Sequence, residues 1–245
     1  AERFGQLLVV YNDRVCPMET YALDFTKKLC GHRSYGDYSA TQVLTGFIFF
    51  YDDWSQEPIT TMGKHPDQSQ IVVQSLHSGL PLKVFPYTHK GRTTWYAPTD
   101  NLPDMNAEHQ KYIREVFTLL NGEVQAAHYD RANQYIEKML LYQQTFGQRS
   151  VPSPMRIKAE HLYNKVPFAT ILFMVCLTIG IVSFLLMLFG QRLPLQRLLL
   201  LLALTALTVA LALRWVITGH IPMANGYETM LFLAWAVMLL ALLTS

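Results

Sequence analysis

Charge is almost absent from the last third of this 245-residue chain. The chain has 20 Lys and Arg residues and 18 Asp and Glu residues. Only four of these charged residues lie after position 165, namely Arg192, Arg197, Arg214 and Glu228. No run of basic residues of the kind that binds nucleic acid occurs in the sequence, so that class of function is set aside. Three cysteines are too few for a disulfide scaffold. Cys16 and Cys30 lie in the charged part and form a candidate redox pair that spacing alone does not decide.

The sequence also lacks an initiator Met and the charged and apolar regions of a signal peptide. It stops at Ser245, directly after an apolar run. We expect both ends to be cuts within a longer protein.

Apolar runs take the place of charge in the last third. Residues 166–190, 198–217 and 226–243 each approach or exceed the ~20 residues that cross a hydrocarbon core of ~30 Å, so they predict three transmembrane helices. Residues 151–165 are expected to form a linker and an interfacial helix ahead of them. The short loop 191–197 is purely basic, which favours the cytoplasmic side for this loop and the outside for the preceding residues.

Residues 1–150 are predicted to form a soluble, helix-rich domain of mixed α/β type. Apolar periodicity predicts helices over 17–31, 40–54, 106–120 and 123–146. Short β-branched and aromatic runs predict strands near 7–11, 71–73, 82–85 and 94–96. The chain is therefore expected to be a mainly α-helical membrane protein with a soluble domain ahead of its membrane helices.

Particular residues mark the ends of the predicted helices. Ser39 is a candidate cap for the second helix. Gly46, inside that helix, costs about 1 kcal/mol relative to Ala. Asn121-Gly122 is expected to separate the helices predicted over 106–120 and 123–146, which would then form a helical hairpin.

No catalytic constellation is evident in the predicted soluble domain. Its histidines show neither His-x-x-x-His nor Glu-x-x-His spacing, which metal sites on helices require. We expect them to be surface or core residues; they are His32, His65, His77, His89, His109, His128 and His161.

The main candidate site is a polar stretch, Arg214 to Glu228, between the last two apolar runs. His220 places a titratable imidazole at the outer end of a membrane helix, where it could be a haem or metal ligand or a proton carrier. Arg214 and Trp215 are residue types that anchor a helix in the membrane interface.

The same stretch has a structural interpretation that competes with ligation by His220. Gly219 and Pro222 are turn residues. Asn225 and Glu228, three residues apart, have the spacing of a capping box that opens the third membrane helix. This interpretation makes the stretch a rigid outer turn that positions two membrane helices.

Residues 219–229, Gly-His-Ile-Pro-Met-Ala-Asn-Gly-Tyr-Glu-Thr, carry a resemblance to a known family. They resemble the Gly-His-x-Pro-x-Ser-Asn-x-Tyr-Glu-Ser stretch near the start of CcsA (ResC), the haem-handling half of System II cytochrome c synthases. Ala224 and Thr229 stand where the family has Ser. Residues 214–215, Arg-Trp, and 232–235, Phe-Leu-Ala-Trp, flank the stretch.

A second match lies near the start of the chain. Residues 14–22, Arg-Val-Cys-Pro-Met-Glu-Thr-Tyr-Ala, resemble the Gly-Arg-Val-Lys-Pro-Leu-Asp-Thr-x-Ala element in the periplasmic region of fused CcsB–CcsA proteins. Asp13 stands in place of Gly, and Cys16 in place of Lys. Residues 42–46, Gln-Val-Leu-Thr-Gly, also fit that region.

The resemblance implies an internal portion of a fused CcsBA-type synthase in the cytoplasmic (inner) membrane, with several membrane passes and its soluble domain in the periplasm. Haem is the implied cofactor. The implied partners are the remainder of the synthase, haem, an apocytochrome c with a Cys-x-x-Cys-His motif, and the lipid bilayer. The residues expected to frame the outer vestibule for haem are Arg214, Trp215, His220, Pro222, Asn225, Tyr227 and Glu228.

Parts of the family pattern are missing from this sequence. No Trp-Gly-x-x-Trp-x-Trp-Asp segment occurs, and the histidines assigned to haem in the family lie elsewhere. The ligand role is therefore not carried over to His220, and this segment is not expected to catalyse alone.

Two other classes of function remain open. A membrane-anchored sensor or binding module would have a soluble domain with a ligand pocket. A transporter or respiratory-complex subunit would place polar residues inside its membrane helices. The predicted helices contain only Thr, Ser and Cys as buried polar groups, which argues against a proton or ion path.

Overall fold

The computed structural model describes residues 1–60, 66–77, 82–102, 105–165, 168–189, 196–219, 221, 223 and 226–244. The chain divides into two compact units, Ala1–Pro152 and Ser153–Ser245. The predicted basic loop 191–197 lies mostly outside the described residues. The roles assigned to the predicted domains stay predictions.

The first unit is mainly helical, and its described strands form three two-stranded antiparallel hairpins. Its elements in chain order are α1 (Glu2–Gly5), β1 (Leu8–Tyr11), β2 (Arg14–Pro17), α2 (Met18–Cys30), β3 (Ser34–Tyr35), β4 (Tyr38–Ser39), α3 (Ala40–Phe49), α4 (Tyr51–Trp54), α5 (Pro66–His77), β5 (Phe85–His89), β6 (Arg92–Tyr96), α6 (Ala107–Gln125) and α7 (Tyr129–Gly147).

The strand predicted near 7–11 and the helix predicted over 17–31 both form, and a second strand, β2, which the sequence did not predict, pairs with the first. Asn12 and Asp13 turn the chain with φ of 49° and 59°, the left-handed values that a tight two-residue hairpin needs. The helix α2 then ends at Gly31, whose φ of 82° is costly for residues with a Cβ.

The helix predicted over 40–54 is wrong at its end. Its start is as expected, because Gln42 N donates to Ser39 Oγ at 3.3 Å and Ser39 N donates to Gln42 Oε1 at 2.8 Å, which is a capping box. The helix α3 stops at Phe49, since Phe50 has a non-helical φ of −128° and ψ of 49°. The short helix α4 then carries Trp54 back toward α3.

Trp54 packs against the one residue of α3 that has no side chain. A Cβ built on Gly46 would overlap the indole ring. The indole also lies 5.5 Å from the ring of Phe47 and 5.2 Å from that of Tyr38, measured between centroids. Gly46 is therefore required for close packing, and this offsets its poor helix propensity.

The strand predicted at 71–73 is wrong. These residues belong to the helix α5, where Val73 and Leu76 are buried while Ile71 and Val72 are 64% and 42% exposed. Three β-branched or aliphatic residues in a row favour a strand locally. Burial of the Val73 and Leu76 face against the core favours the helix instead.

The helix break predicted at Asn121-Gly122 is also misplaced. The helix α6 continues through both residues and ends at Gln125, and Ala127 makes the turn with a φ of 57°. Both residues are exposed, and a Cβ on Gly122 would meet nothing within 4 Å. The buried face of α6, which includes Ile113, Val116 and Leu120, holds the helix together across them.

One buried side chain connects three separate segments of the first unit. Gln143 of α7 is 1% exposed. Its amide accepts from Leu8 N at 2.9 Å and donates to Leu8 O and Val84 O at 2.8 Å each. The amide thus satisfies backbone groups of β1 and of the residue just before β5 that would otherwise be buried without partners.

The second unit consists of four helices in its described part, α8 (Pro154–Lys165), α9 (Phe168–Leu188), α10 (Gln196–Thr218) and α11 (Gly226–Thr244). Two of them, α10 and α11, are each long and apolar enough to cross a membrane. The helices α8 and α9 count as a third candidate if they are taken as one bent span. The chain is thus a helix-rich membrane protein with two or three candidate membrane helices, where the sequence predicts three.

The packing of Trp54 on Gly46 gives a stability prediction. Gly46→Ala should destabilise the protein by about 1–3 kcal/mol, because the added methyl group must displace the indole. The matched control is Gly122→Ala, which should stabilise by about 0.5–1 kcal/mol, since the site is open and Ala favours the helix. Thermal unfolding of the detergent-solubilised chain measures both. Equal shifts from the two substitutions would contradict the packing role of Gly46.

Candidate functional site

The candidate site begins where α10 ends. Thr218 Oγ1 donates to Arg214 O at 3.0 Å, and Gly219 N donates to Trp215 O at 2.8 Å. Gly219 adopts a φ of 76°, which closes the helix with a left-handed residue. Three residues named from the sequence, His220, Pro222 and Asn225, lie outside the described residues.

A buried ion pair connects the two ends of this turn. Arg214 Nε donates to Glu228 Oε1 at 2.7 Å, and the carboxylate side chain is 1% exposed. Glu228 also lies in the first turn of α11, where the helix dipole favours a negative charge. Because an isolated buried charge is very unfavourable, each of these two groups requires the other in place.

Two tyrosine rings surround the guanidinium of Arg214. Its central carbon lies 5.4 Å from the ring centroid of Tyr227 and 5.9 Å from that of Tyr163. Both distances are within the range of cation–π attraction. The guanidinium is therefore held by a carboxylate from α11 and by aromatic faces from α8 and α11. We call Arg214, Glu228, Tyr163 and Tyr227 the Arg214 cluster.

The helix α8 contributes residues that the sequence did not identify. Tyr163 joins the Arg214 cluster, and a Cβ on Gly219 would lie 2.6 Å from a guanidinium nitrogen of Arg156. Glu160, between these two in the helix, is 4% exposed. The spacing of 156, 160 and 163 puts them on one helix face, which was the available signal. That face is polar, so a search for apolar periodicity does not find it.

Deeper in the second unit, a polar contact joins α10 to α11. Trp235 Nε1 donates to Thr208 Oγ1 at 2.8 Å, and Thr208 Oγ1 donates to Leu204 O at 2.7 Å. These bonds satisfy two polar side chains within apolar helices. Trp215, by contrast, is 54% exposed, as expected of an interface anchor.

The candidate redox pair is not joined in the structure. Cys16 is buried on β2, while Cys30 ends α2 and its thiol donates to Thr26 O at 3.3 Å. The two sulfurs form no disulfide.

The described histidines of the first unit lie in separate contacts. Among the described residues, no group of three or more His, Cys, Asp or Glu could hold a metal ion. His109 Nδ1 lies 3.2 Å from the hydroxyl of Tyr142, and His77 stacks on Tyr51 with 4.2 Å between ring centroids. His65 lies outside the described residues.

The tyrosines beside His109 remain neutral groups at physiological pH. Tyr112 and Tyr142 stack with 5.1 Å between ring centroids. Burial raises the pKa of Tyr112 to about 12 and raises the pKa of Tyr142 above its ordinary value. Both hydroxyls therefore stay protonated. The hydroxyl of Tyr142 lies within hydrogen-bond distance of His109 Nδ1, whereas the buried hydroxyl of Tyr112 has no hydrogen-bond partner among the described residues.

Two clefts open on the surface of the first unit. One has a volume of about 540 Å³, and Phe49, Phe117 and Arg114 are among its lining residues. The other has a volume of about 530 Å³, and Trp54 and Tyr129 are among its lining residues. Both have the size of a small-molecule site.

The chemistry of the Arg214 cluster is that of a positioning device. Its one cation is neutralised by its one carboxylate, and its rings are phenols. A haem iron requires an imidazole, thiolate, thioether or phenolate directed at one point. The four residues of the cluster include no imidazole, thiolate or thioether, and their two phenol rings present their faces to the guanidinium of Arg214.

Comparison with known proteins finds similarity to NrfI and to two proteins named CcsA. No family model matches the chain. NrfI of Wolinella succinogenes is 24% identical over 302 aligned positions, which cover 98% of this chain and 34% of NrfI. The cytochrome c biogenesis protein CcsA of Chlorella vulgaris is 55% identical over 38 residues, or 16% of this chain and 12% of that protein. CcsA of Hordeum vulgare is 31% identical over 81 residues, or 33% of this chain and 24% of that protein.

The chain therefore spans about a third of the length of NrfI and less of each CcsA.

The buried ion pair predicts a large stability effect. Glu228→Ala should destabilise the chain by about 3–5 kcal/mol, because it leaves Arg214 largely buried without its carboxylate. Glu137→Ala is the control, since its pair with Arg3 is exposed on both sides, and it should cost less than about 1 kcal/mol. Thermal unfolding in detergent compares the two variants. The double reversal Arg214→Glu with Glu228→Arg should recover part of the loss. An equal loss of unfolding free energy in Glu228→Ala and Glu137→Ala would show that the pair of Arg214 and Glu228 does not stabilise the structure more than an exposed pair does.

Proposed function

We propose, from the membership of this chain in the cytochrome c biogenesis family that includes NrfI and CcsA, that it is part of a membrane-bound cytochrome c synthase and frames the site where haem meets apocytochrome c. The chain corresponds to about a third of the length of NrfI, so the activity belongs to a longer assembly. The segment described here supplies scaffold rather than catalytic groups.

The observation that carries this proposal is the Arg214 cluster. A reaction between a large cofactor and a peptide depends on walls that do not move, since a displacement of about 1 Å can cost about 10²-fold in rate. The buried pair of Arg214 and Glu228 fixes the end of α10 against the start of α11. The family stretch 219–229 lies between and around these two helix ends.

The resemblance supports haem as the cofactor of the whole synthase, with its iron held by residues outside this chain. Haem would supply the vinyl groups that an apocytochrome Cys-x-x-Cys-His motif takes up as thioethers. The described residues of this chain would orient the surrounding helices through the Arg214 cluster. The candidate role of His220 in ligation remains separate from this scaffold role.

The proposal includes a location in the cytoplasmic (inner) membrane with the first unit facing the periplasm. The basic loop 191–197 supports this orientation, because short loops rich in Arg remain on the cytoplasmic side. The Arg214 turn, one membrane helix further along the chain, would then lie on the outer face.

A binding module is the second candidate function, and the two clefts of the first unit favour it. They supply the ligand pocket that such a module requires. Two results together would favour this candidate. The chain would retain a small molecule, and cytochrome assembly would stay normal when a cleft is blocked. A transporter is not favoured, since the polar side chains described within α10 and α11, such as Thr208 and Trp235, bond to one another or to backbone.

Glu228→Gln in the full-length synthase tests the framing role. When the synthase is co-expressed with an apocytochrome, the yield of holocytochrome should fall about tenfold or more, because the turn loses its fixed geometry. Glu137→Gln is the matched control and should leave the yield unchanged. Immunoblots confirm equal protein in the membrane. A normal yield from Glu228→Gln would contradict the framing role.

His220→Ala separates the rigid turn from a ligand site. We expect the pyridine haemochrome spectrum and the haem content of the purified full-length protein to stay the same, because the turn is held by Arg214, Gly219 and Glu228. Loss of haem at an unchanged protein level would assign His220 as a ligand and overturn the structural interpretation of the turn.

A further inference from the structure

The helix α8 has two faces of different character. Its inward face contacts α10, with Tyr163 near Arg214 and Arg156 near Gly219. On its outward face, Met155 and Leu162 are 70% and 50% exposed. Lys158 and Lys165 are exposed as well.

The helix α8 lies beside one end of a candidate membrane span. The candidate span of α10 ends at Thr218, and α8 packs along α10 at that end through Tyr163 and Arg156. The exposed Trp215, in the last turn of α10, is the residue type that marks the membrane–water boundary. A membrane boundary at Trp215 would put α8 at the depth of lipid headgroups.

The outward face of α8 carries two apolar and two basic side chains. Met155 and Leu162 are seven residues apart, and so are Lys158 and Lys165, so apolar and basic side chains alternate along two turns. Apolar side chains of this kind enter the acyl boundary, while Lys stems extend along it and carry the ammonium to the phosphates.

The charge of this face is of one sign. Glu160 is the one acidic residue in α8, and it is buried on the opposite face. Among the ion pairs formed by the described residues, none includes Lys158 or Lys165. Two unpaired ammonium groups beside exposed apolar side chains complement an anionic surface with an apolar layer beneath it.

We propose that the outward face of α8 binds the headgroups of anionic phospholipids, with Lys158 and Lys165 contacting phosphate and Met155 and Leu162 entering the acyl region. Each Lys near an anionic lipid surface contributes about 1 kcal/mol of attraction. This binding would fix the depth of α8 and thereby the position of Tyr163 against Arg214. The proposal depends on the membrane helices and not on cytochrome chemistry.

Native mass spectrometry of the detergent-solubilised chain, titrated with phosphatidylglycerol or phosphatidylcholine, tests the proposal. The wild-type chain should retain phosphatidylglycerol in preference to phosphatidylcholine. The double variant Lys158→Gln, Lys165→Gln should bind phosphatidylglycerol about tenfold or more weakly, since both contributions are lost. Lys158→Arg with Lys165→Arg keeps the charge and should retain the binding.

The matched control is Lys27→Gln with Lys111→Gln, which removes two exposed lysines of the first unit and should leave lipid binding unchanged. Circular dichroism confirms that all variants keep their helix content. Equal affinity for the two lipids, or equal loss in the control, would overturn the proposal. A third outcome would also overturn the proposal. If the double variant Lys158→Gln, Lys165→Gln binds lipid as the wild type does but the full-length variant loses a polypeptide that co-purifies with the wild type, the face binds a protein partner.

Discussion

The structure of the second unit depends on one buried ion pair. The guanidinium of Arg214 and the carboxylate of Glu228 are both withdrawn from water, and neither is tolerated alone in such a place. Arg214 lies just before the last turn of α10, and Glu228 lies in the first turn of α11. The requirement that these charges meet therefore sets how the two helices approach each other, which apolar packing by itself specifies poorly because lipid tails are as apolar as Leu.

The pair also accounts for the presence of α8 beside the helix ends. A guanidinium next to a carboxylate still has faces that need favourable contact, and Tyr163 and Tyr227 provide it. The guanidinium of Arg156 lies close to Gly219, whose φ of 76° is the left-handed conformation that favours glycine. The polar residues near the ends of α10 and α11 thus come from three helices, α8, α10 and α11.

Sequence reasoning succeeded where a single local property decides the structure. Hydropathy identifies α10 and α11, and Ser39 caps the start of α3 as predicted. It failed where packing between distant segments overrides local preference. The residues 71–73 favour a strand by composition, yet Val73 and Leu76 are buried by a helix.

The same limit applies to the candidate site. Arg214 and Glu228 were identifiable as polar residues between apolar runs, and the family resemblance selected them. Their contact with each other was not, because the capping spacing of 225 and 228 offered a local role for Glu228. Tyr163 and Arg156 could not be assigned to the site, since nothing in a linear pattern says which helix a polar face will meet.

The amide of Gln143 has a consequence for the order in which the first unit can assemble. Its partner Leu8 lies 135 residues earlier in the chain. These hydrogen bonds can therefore form only after nearly the whole first unit has been synthesised, and until then the backbone of Leu8 is hydrogen-bonded to water. The first hairpin reaches its final packing only once α7 is present to cover it.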